Sequence, residues 1–243
     1  MREQDVISRV ALMHHYNDLA DKSFLLVGDD DLLSIALALT GLPLRITVLD
    51  IDERLGEYIG KVSKEYKLEI EYRRYDVSNP LPKDLVGEFD VFSSEPLETV
   101  SGLKAFLSRG IACLKENGIG YVGLSTAEAS RKKWMIVEKM LLQMNCMITD
   151  VIKDFSKYGT LYETVNYEMF TTRLEFPVGK NPGIPWYKSS LFRFEVMGKP
   201  NPLVKPDERL SIEYIDWEED LTNPFLYKKQ KEYKNKSKLK IIE

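Results

Sequence analysis

The sequence predicts an α/β fold, a mostly parallel sheet with helices on both faces and an antiparallel extension near its C-terminal end. Three observations carry this. From SFLLVG at residue 23 to about residue 145, strand-length apolar runs alternate with helix-length amphipathic segments; parallel neighbours need a helix-sized crossover, so the alternation marks a parallel sheet covered on both sides. The first strand ends in a single glycine that opens into a helix, as at a nucleotide-binding turn. Beyond residue 145, CMITDVIKDFSKY, YETVNYEMFTTRLEFPV and WYKSSLFRFEVMG read as strands without helices between them.

In order, DVISRVALMHHYNDL places Val6, Ile7, Val10, Leu12 and Met13 at helical spacing. SFLLVG is a buried strand and DLLSIALALTG a helix stopped by Gly41. Strand RITVLD, helix DERLGEYIGKVSKEY and the alternating strand LEIEYRRYD follow. SNPLPKDLVG is a loop with a short turn, EFDVFSS a strand and ETVSGLKAFLSRGIACLK a helix. Asn117-Gly118 turns the chain into strand GIGYVGLS, and EASRKKWMIVEKMLLQM is the last helix. Antiparallel strands appended to such a sheet fit the class I methyltransferase-like (Rossmann-like) architecture. The expected division is a domain over 1–197 and a charged, mobile tail over 198–243, where Pro, Lys and Glu accumulate and seven lysines fall between Lys228 and Lys240.

With 243 residues and 44% hydrophobic content the chain has enough apolar surface for one large core. A net charge of −4 argues against general nucleic-acid binding and suits a small cationic substrate. Cys113 and Cys146 sit in apolar contexts, so buried thiols are expected rather than a disulfide scaffold or zinc site. No apolar run approaches the roughly 20 residues of a membrane span, and no signal peptide is evident, so the cytoplasm is the expected compartment and no membrane partner is expected. His14 and His15 read as surface residues of the first helix, and no metal is expected.

In such sheets ligands bind outside the carboxyl ends of the strands. Those ends read Gly28-Asp29-Asp30-Asp31, Asp50-Ile51-Asp52, Asp76 and Ser93-Ser94-Glu95-Pro96, so one cleft should collect an unusual density of carboxylates. Asp50 is placed to accept both ribose hydroxyls of a nucleoside, and Asp52 either shares that role or caps the next helix. Asp76 suits an adenine amino group or an Asx-turn equally well. Three aspartates at the first turn would repel a pyrophosphate and the carboxylate of S-adenosylmethionine. They favour the same nucleoside ending in a bare ammonium, decarboxylated S-adenosylmethionine. One aspartate would be explained as a helix cap, three in a row would not. Glu95 stands where amine-directed enzymes of this fold hold the target amine, and Glu98 is nearby.

VISRVALMHHYNDLADKSFLLVGDDDLLSIALAL, TVLDIDERLGEYI and FDVFSSEPLETVSGLKAFLSRGIACLK resemble the branched-chain polyamine synthases, the N-bis(aminopropyl)spermidine synthases of thermophilic archaea and bacteria; TDVIKDFSKY and PWYKSSLFRFE are similar too, and the resemblance spans roughly residues 5 to 197. It implies a transferase of polyamine biosynthesis that moves the aminopropyl group of decarboxylated S-adenosylmethionine to an internal amine of spermidine and releases methylthioadenosine. Carried over, Gly28, Asp29, Asp30 and Asp31 would line the aminopropyl end, Asp50 or Asp52 would hold the ribose, and Glu95 with Asp30 would carry turnover. Glu95 would act as base or amine-orienting group, with Glu98 and Glu163 on the distal ammonium groups and Tyr158, Tyr162 or Trp186 adding cation–π contacts.

The family motif is Asp-Pro-Pro-Glu-Thr; here it is Glu95-Pro96-Leu97-Glu98-Thr99, with the acid one methylene longer and the second proline gone. The family also carries a winged-helix-like domain before the VALMHH helix, at which this sequence starts, and homodimer contacts are left open. Two alternatives stand beside this reading: an S-adenosylmethionine-dependent methyltransferase acting on an amine or nucleic acid, and a non-catalytic polyamine-binding paralogue.

Overall fold

The computed structural model describes residues 1–125, 128–158, 187–214 and 216. Among them are helices α1 (Glu3–His15), α2 (Leu33–Leu39), α3 (Glu53–Tyr66), α4 (Val100–Cys113) and α5 (Arg131–Gln143), and strands β1 (Ser23–Val27), β2 (Arg45–Asp50), β3 (Glu71–Arg74), β4 (Phe89–Ser94), β5 (Leu114–Ser125), β6 (Cys146–Lys157) and β7 (Lys188–Val196). The sheet order is β3-β2-β1-β4-β5-β7-β6. The first five strands run parallel, and β7 enters antiparallel between β5 and β6. This is the expected class I methyltransferase-like sheet. The stretch between Tyr158 and Tyr187, with the expected YETVNYEMFTTRLEFPV strand, Glu163, Tyr162 and Trp186, lies outside the described residues.

The period-two alternation of β1 sorts its side chains between two cores. Leu25 and Val27 join Phe92, Leu103, Leu107 and Val137 under α4 and α5. Phe24 and Leu26 join Val6, Val10, Met13, Leu37 and Ile59 under α1, α2 and α3. Gly110 of α4 lies on the Phe92 ring, where a Cβ would come within 2.2 Å, so glycine there lets the helix sit close on the sheet. Thr99 caps α4 by accepting from the Gly102 N–H at 3.1 Å, and Ser130 caps α5 through the Lys133 N–H at 3.2 Å. Both cysteines are free and buried, and burial pushes each thiol up to about 12, which keeps them inert at neutral pH. His14 and His15 are exposed, as expected of a surface helix face.

Two expectations need correction. Asn117-Gly118 does not precede β5 but lies within it: pairing jumps from Phe89–Leu114 to Val91–Ile119, so the intervening residues form an irregularity, with Asn117 at φ 58°. Residues 198–214, expected as the start of a mobile tail, lie against the domain. The buried Arg109 guanidinium of α4 donates to the carbonyls of Val77, Lys205, Pro206 and Glu208. The Leu81 N–H donates to the Pro206 carbonyl at 2.7 Å and the Leu210 N–H to the Ser78 carbonyl at 2.8 Å. A buried guanidinium supplies several donors in one plane, enough to fix a segment with no secondary structure. The lysine-rich stretch from residue 217 onward lies outside the described residues.

Candidate active site

The sheet reverses its strand order between β1 and β4, and a cavity of about 280 Å³ opens beyond the carboxyl ends of β1, β2 and β4. Val27, Leu49, Ile51, Tyr75, Val77 and Phe106 give it apolar walls; Gly28, Asp30, Asp50, Asp76 and Glu95 supply the polar edge, and Ile212 and Tyr214 of the docked C-terminal segment complete it. An apolar slot with a few convergent polar groups is what a nucleoside requires. Gly28 holds φ 77°, in the left-handed region where a side chain is strained, and a Cβ there would lie 3.7 Å from the Phe106 ring.

The three consecutive aspartates divide their work. Asp29 is 1% exposed and turns away from the cavity: its carboxylate accepts from the Ser34 N–H at 3.1 Å and from the Ser34 hydroxyl at 2.5 Å. Burial and the Asp31 charge raise its carboxyl well above the ordinary range. Asp31 accepts from the Leu33 N–H at 3.2 Å and pairs with Arg9 at 3.2 Å. The expectation that all three line the ligand's tail is therefore corrected. The N-cap position of α2, Leu32, is in the left-handed region and has no capping side chain, so the free N–H groups of the helix recruit two carboxylates from the turn. Asp30 alone is exposed and lines the cavity, and among the described residues it makes no ion pair and no hydrogen bond to another residue.

Asp50 also lines the cavity, held by the Asp29 N–H at 3.2 Å and the Asp52 N–H at 2.8 Å. Asp52 is the N-cap of α3 and pairs with Arg54, which holds its carboxyl down at about 2; it does not line the cavity. Between the two acids at the second strand, the structure thus brings Asp50 to the site and leaves Asp52 to the helix. Asp76 closes the expected Asx-turn on the Ser78 N–H at 2.9 Å, and it also lines the cavity.

Glu95 reaches the cavity from the end of β4. Its carboxylate takes a hydrogen bond from the Tyr158 hydroxyl at 2.7 Å and pairs with Arg9 of α1, whose side chain is 1% exposed. Burial pushes the Glu95 carboxyl up; Arg9 opposes this, Asp31 adds to it, and the Tyr158 bond also opposes. A Cβ on Gly123 of β5 would fall 2.1 Å from the Glu95 carboxylate, so that glycine makes the room into which the longer acid extends.

The family model for the branched-chain polyamine synthase A C-terminal domain matches residues 2–221. The chain belongs to this family. It is 42% identical over 200 residues to the N(4)-bis(aminopropyl)spermidine synthase of Thermococcus kodakarensis, aligning 80% of this chain and 55% of that protein. The corresponding synthase of Thermus thermophilus is 38% identical over 196 residues, aligning 80% and 56%. The chain thus spans about half the length of the curated relatives it matches. A crystal structure of the Thermus thermophilus branched-chain polyamine synthase, in complex with N4-aminopropylspermidine and 5'-methylthioadenosine, superposes with a TM-score of 0.77 at 35% identity, covering 87% of this chain and 60% of that one. An S-adenosylmethionine-dependent methyltransferase from Clostridium acetobutylicum, at TM-score 0.54 and 10% identity, shares the fold alone, covering 81% of this chain and 92% of that one.

Within this branched-chain polyamine synthase fold, Glu98 is not where the sequence placed it. It is buried and accepts from the Ser125 N–H at 2.7 Å and the Ser125 hydroxyl at 3.1 Å, and it does not line the cavity. The side chain thus turns inward onto β5, and burial pushes its carboxyl up to about 8. The folded protein thus binds this proton more tightly than the unfolded chain. The resulting stability is fully present below the ordinary value of 4.5 and is lost as pH rises through about 8. Glu98→Gln mimics the neutral form. Its melting temperature should match wild type near pH 4, exceed it by a margin that widens up to pH 8, and level off above; thermal denaturation across that range checks this.

Arg9, Tyr158 as a partner of Glu95, and Gly123 complete the site without having been singled out for these roles. A buried arginine on an amphipathic helix leaves no periodic trace in a sequence, because only the fold shows that its two partners are carboxylates far along the chain. No group of three His, Cys, Asp or Glu side chains among the described residues is placed to hold a metal, and none of the described helices is long and apolar enough to cross a membrane.

Proposed function

We propose that this domain is the catalytic part of an aminopropyltransferase that moves the aminopropyl group of decarboxylated S-adenosylmethionine to an internal secondary amine of spermidine or a related polyamine and releases methylthioadenosine. The observation that carries this is Asp30, a carboxylate that makes no ion pair and no hydrogen bond to another residue among the described residues, on the rim of a nucleoside-sized cavity. An anion there suits a donor whose tail ends in an ammonium and disfavours one whose tail ends in a carboxylate. The synthases to which the chain is similar, one of them crystallised with N4-aminopropylspermidine and 5'-methylthioadenosine, support the same reading.

In this reading Asp50 takes the ribose hydroxyls and Asp76 the adenine edge, with the base between the apolar walls. The donor's propyl chain points toward Asp30. The acceptor's internal nitrogen donates its N–H to Glu95, which lines the same cavity, and attacks the propyl carbon in line with the sulfur. The nitrogen lone pair forms the C–N bond, the C–S electrons return to sulfur, and the sulfonium becomes the neutral thioether of methylthioadenosine. The extra proton on nitrogen passes to Glu95. The acidic rim draws the polycation in from solution.

The test incubates the protein with decarboxylated S-adenosylmethionine and a mixture of linear polyamines, and reads the products by mass spectrometry. The reading predicts methylthioadenosine together with a branched polyamine heavier by one or two aminopropyl groups. Binding of polyamine without methylthioadenosine, or methylation from S-adenosylmethionine, would overturn it.

A further inference from the structure

The acidic cavity poses a chemical conflict. Carboxylates attract a polyamine, but they also stabilise its ammonium form, and an ammonium nitrogen has no lone pair with which to attack. A free alkylamine, like lysine, loses its proton only near pH 10, so in neutral solution the reactive form is scarce. Something at the reacting end must offset the carboxylates there without removing the attraction farther out.

Arg9 is placed to do this. Its guanidinium lies buried behind the cavity wall, with Nη1 on Asp31 at 3.2 Å and Nη2 shared between Glu95 and Ser156. Its Nε has no partner among the described residues, so the two carboxylates, Ser156 and the Met1 sulfur at 3.8 Å set its position. It bridges the turn after β1 and the loop after β4, the two segments that flank the point where the strand order reverses. An arginine keeps its charge at any working pH. The charged and titratable groups around it are Asp31 from the β1–α2 turn, Glu95 from the end of β4 and Tyr158 from the end of β6. Glu98 and Asp31 also act on Glu95 or are acted on by it. With Arg9 present, Glu95 and Asp31 together carry one net negative charge; without it they would carry two. Asp50 and Asp76, which make no ion pair among the described residues, keep their attraction at the nucleoside end, and Asp30 keeps its own at the donor's tail.

We infer that Arg9 is a positioning residue that makes the acceptor amine enter at Glu95 in its neutral, nucleophilic form, by offsetting one of the two negative charges at the reacting end of an otherwise acidic cavity. The inference rests on the aminopropyl-transfer reading and assigns the buried cation a task within it.

The experiment measures methylthioadenosine release from pH 6 to 10.5, at saturating donor and subsaturating spermidine, for wild type, Arg9→Lys, Arg9→Met and Asp31→Asn. In Arg9→Met the midpoint of the rising limb of kcat/KM for spermidine should move up by about one pH unit, which is about tenfold lower activity below the midpoint with recovery above it. Arg9→Lys, which keeps the charge but loses the fork, should keep the wild-type midpoint. Asp31→Asn leaves Arg9 less compensated and should move the midpoint down, and this arm stands even where Arg9→Met does not fold. A loss that is uniform across pH in Arg9→Met, or a midpoint in Asp31→Asn that stays or rises, overturns the inference while leaving the aminopropyl reading intact. Absence of methylthioadenosine from wild type at every pH overturns both.

Discussion

Replacing Asp30 by Asn should weaken binding of decarboxylated S-adenosylmethionine by about tenfold to a hundredfold while barely moving the melting temperature. The first half follows from the charge: a hydrogen bond between an ammonium and a carboxylate is worth roughly 1.5–3 kcal/mol, and every 1.4 kcal/mol is about a factor of ten in affinity. The second follows from what Asp30 does not do. It is exposed and makes no ion pair and no hydrogen bond to another described residue, and substitutions at such positions usually stay within about 0.5 kcal/mol. Asp29→Asn makes the contrasting control. Asp29 is buried on the Ser34 N–H and hydroxyl, so its effect should fall on thermal stability, with donor affinity changed only as far as the turn shifts. Calorimetric titration beside thermal denaturation separates the two.

Glu95→Gln should lower kcat by on the order of a hundredfold or more and leave donor affinity within a few-fold. Glutamine keeps the shape, and its one amide oxygen can still accept from Arg9 while its NH2 faces the Tyr158 hydroxyl, but it takes no proton, and general-base contributions are typically 10²–10⁴-fold. Stability should fall as well. Arg9 is buried and would keep only Asp31 as a charged partner, and a buried cation that loses a partner is costly. Single-turnover kinetics with donor prebound isolate the chemical step. A variant that lost donor binding instead of turnover would move Glu95 from the acceptor to the donor side of the site.

The fold was legible in the sequence because its signals are local and repeat. Strand-length apolar runs such as SFLLV and RITVLD, punctuated by Gly28 and Gly41, mark elements that stand within a few residues of their expected bounds. The strand ends followed from the sheet, and with them Gly28, Asp30, Asp50, Asp76 and Glu95 on one cavity. What the sequence could not show is which acid of a cluster is spent on the backbone. Asp29, Asp52 and Glu98 turn onto the N–H groups of Ser34, Arg54 and Ser125 and away from the cavity, whereas Asp50 accepts from two backbone N–H groups and still lines it. Nor could it show that Arg109, inside a helix read as amphipathic, anchors residues 205–208 and so brings Ile212 and Tyr214 to the cavity. Such contacts join residues about a hundred positions apart and leave no pattern in either segment.

Whether the turn after β1 selects its donor by charge is tested by a parallel calorimetric titration of the wild-type protein with decarboxylated S-adenosylmethionine and with S-adenosylmethionine, repeated on Asp30→Asn. Selection by charge requires wild type to prefer the decarboxylated donor by about tenfold or more and most of this preference to disappear in the variant. Equal or tighter binding of S-adenosylmethionine by wild type, or a preference that survives in Asp30→Asn, would contradict it.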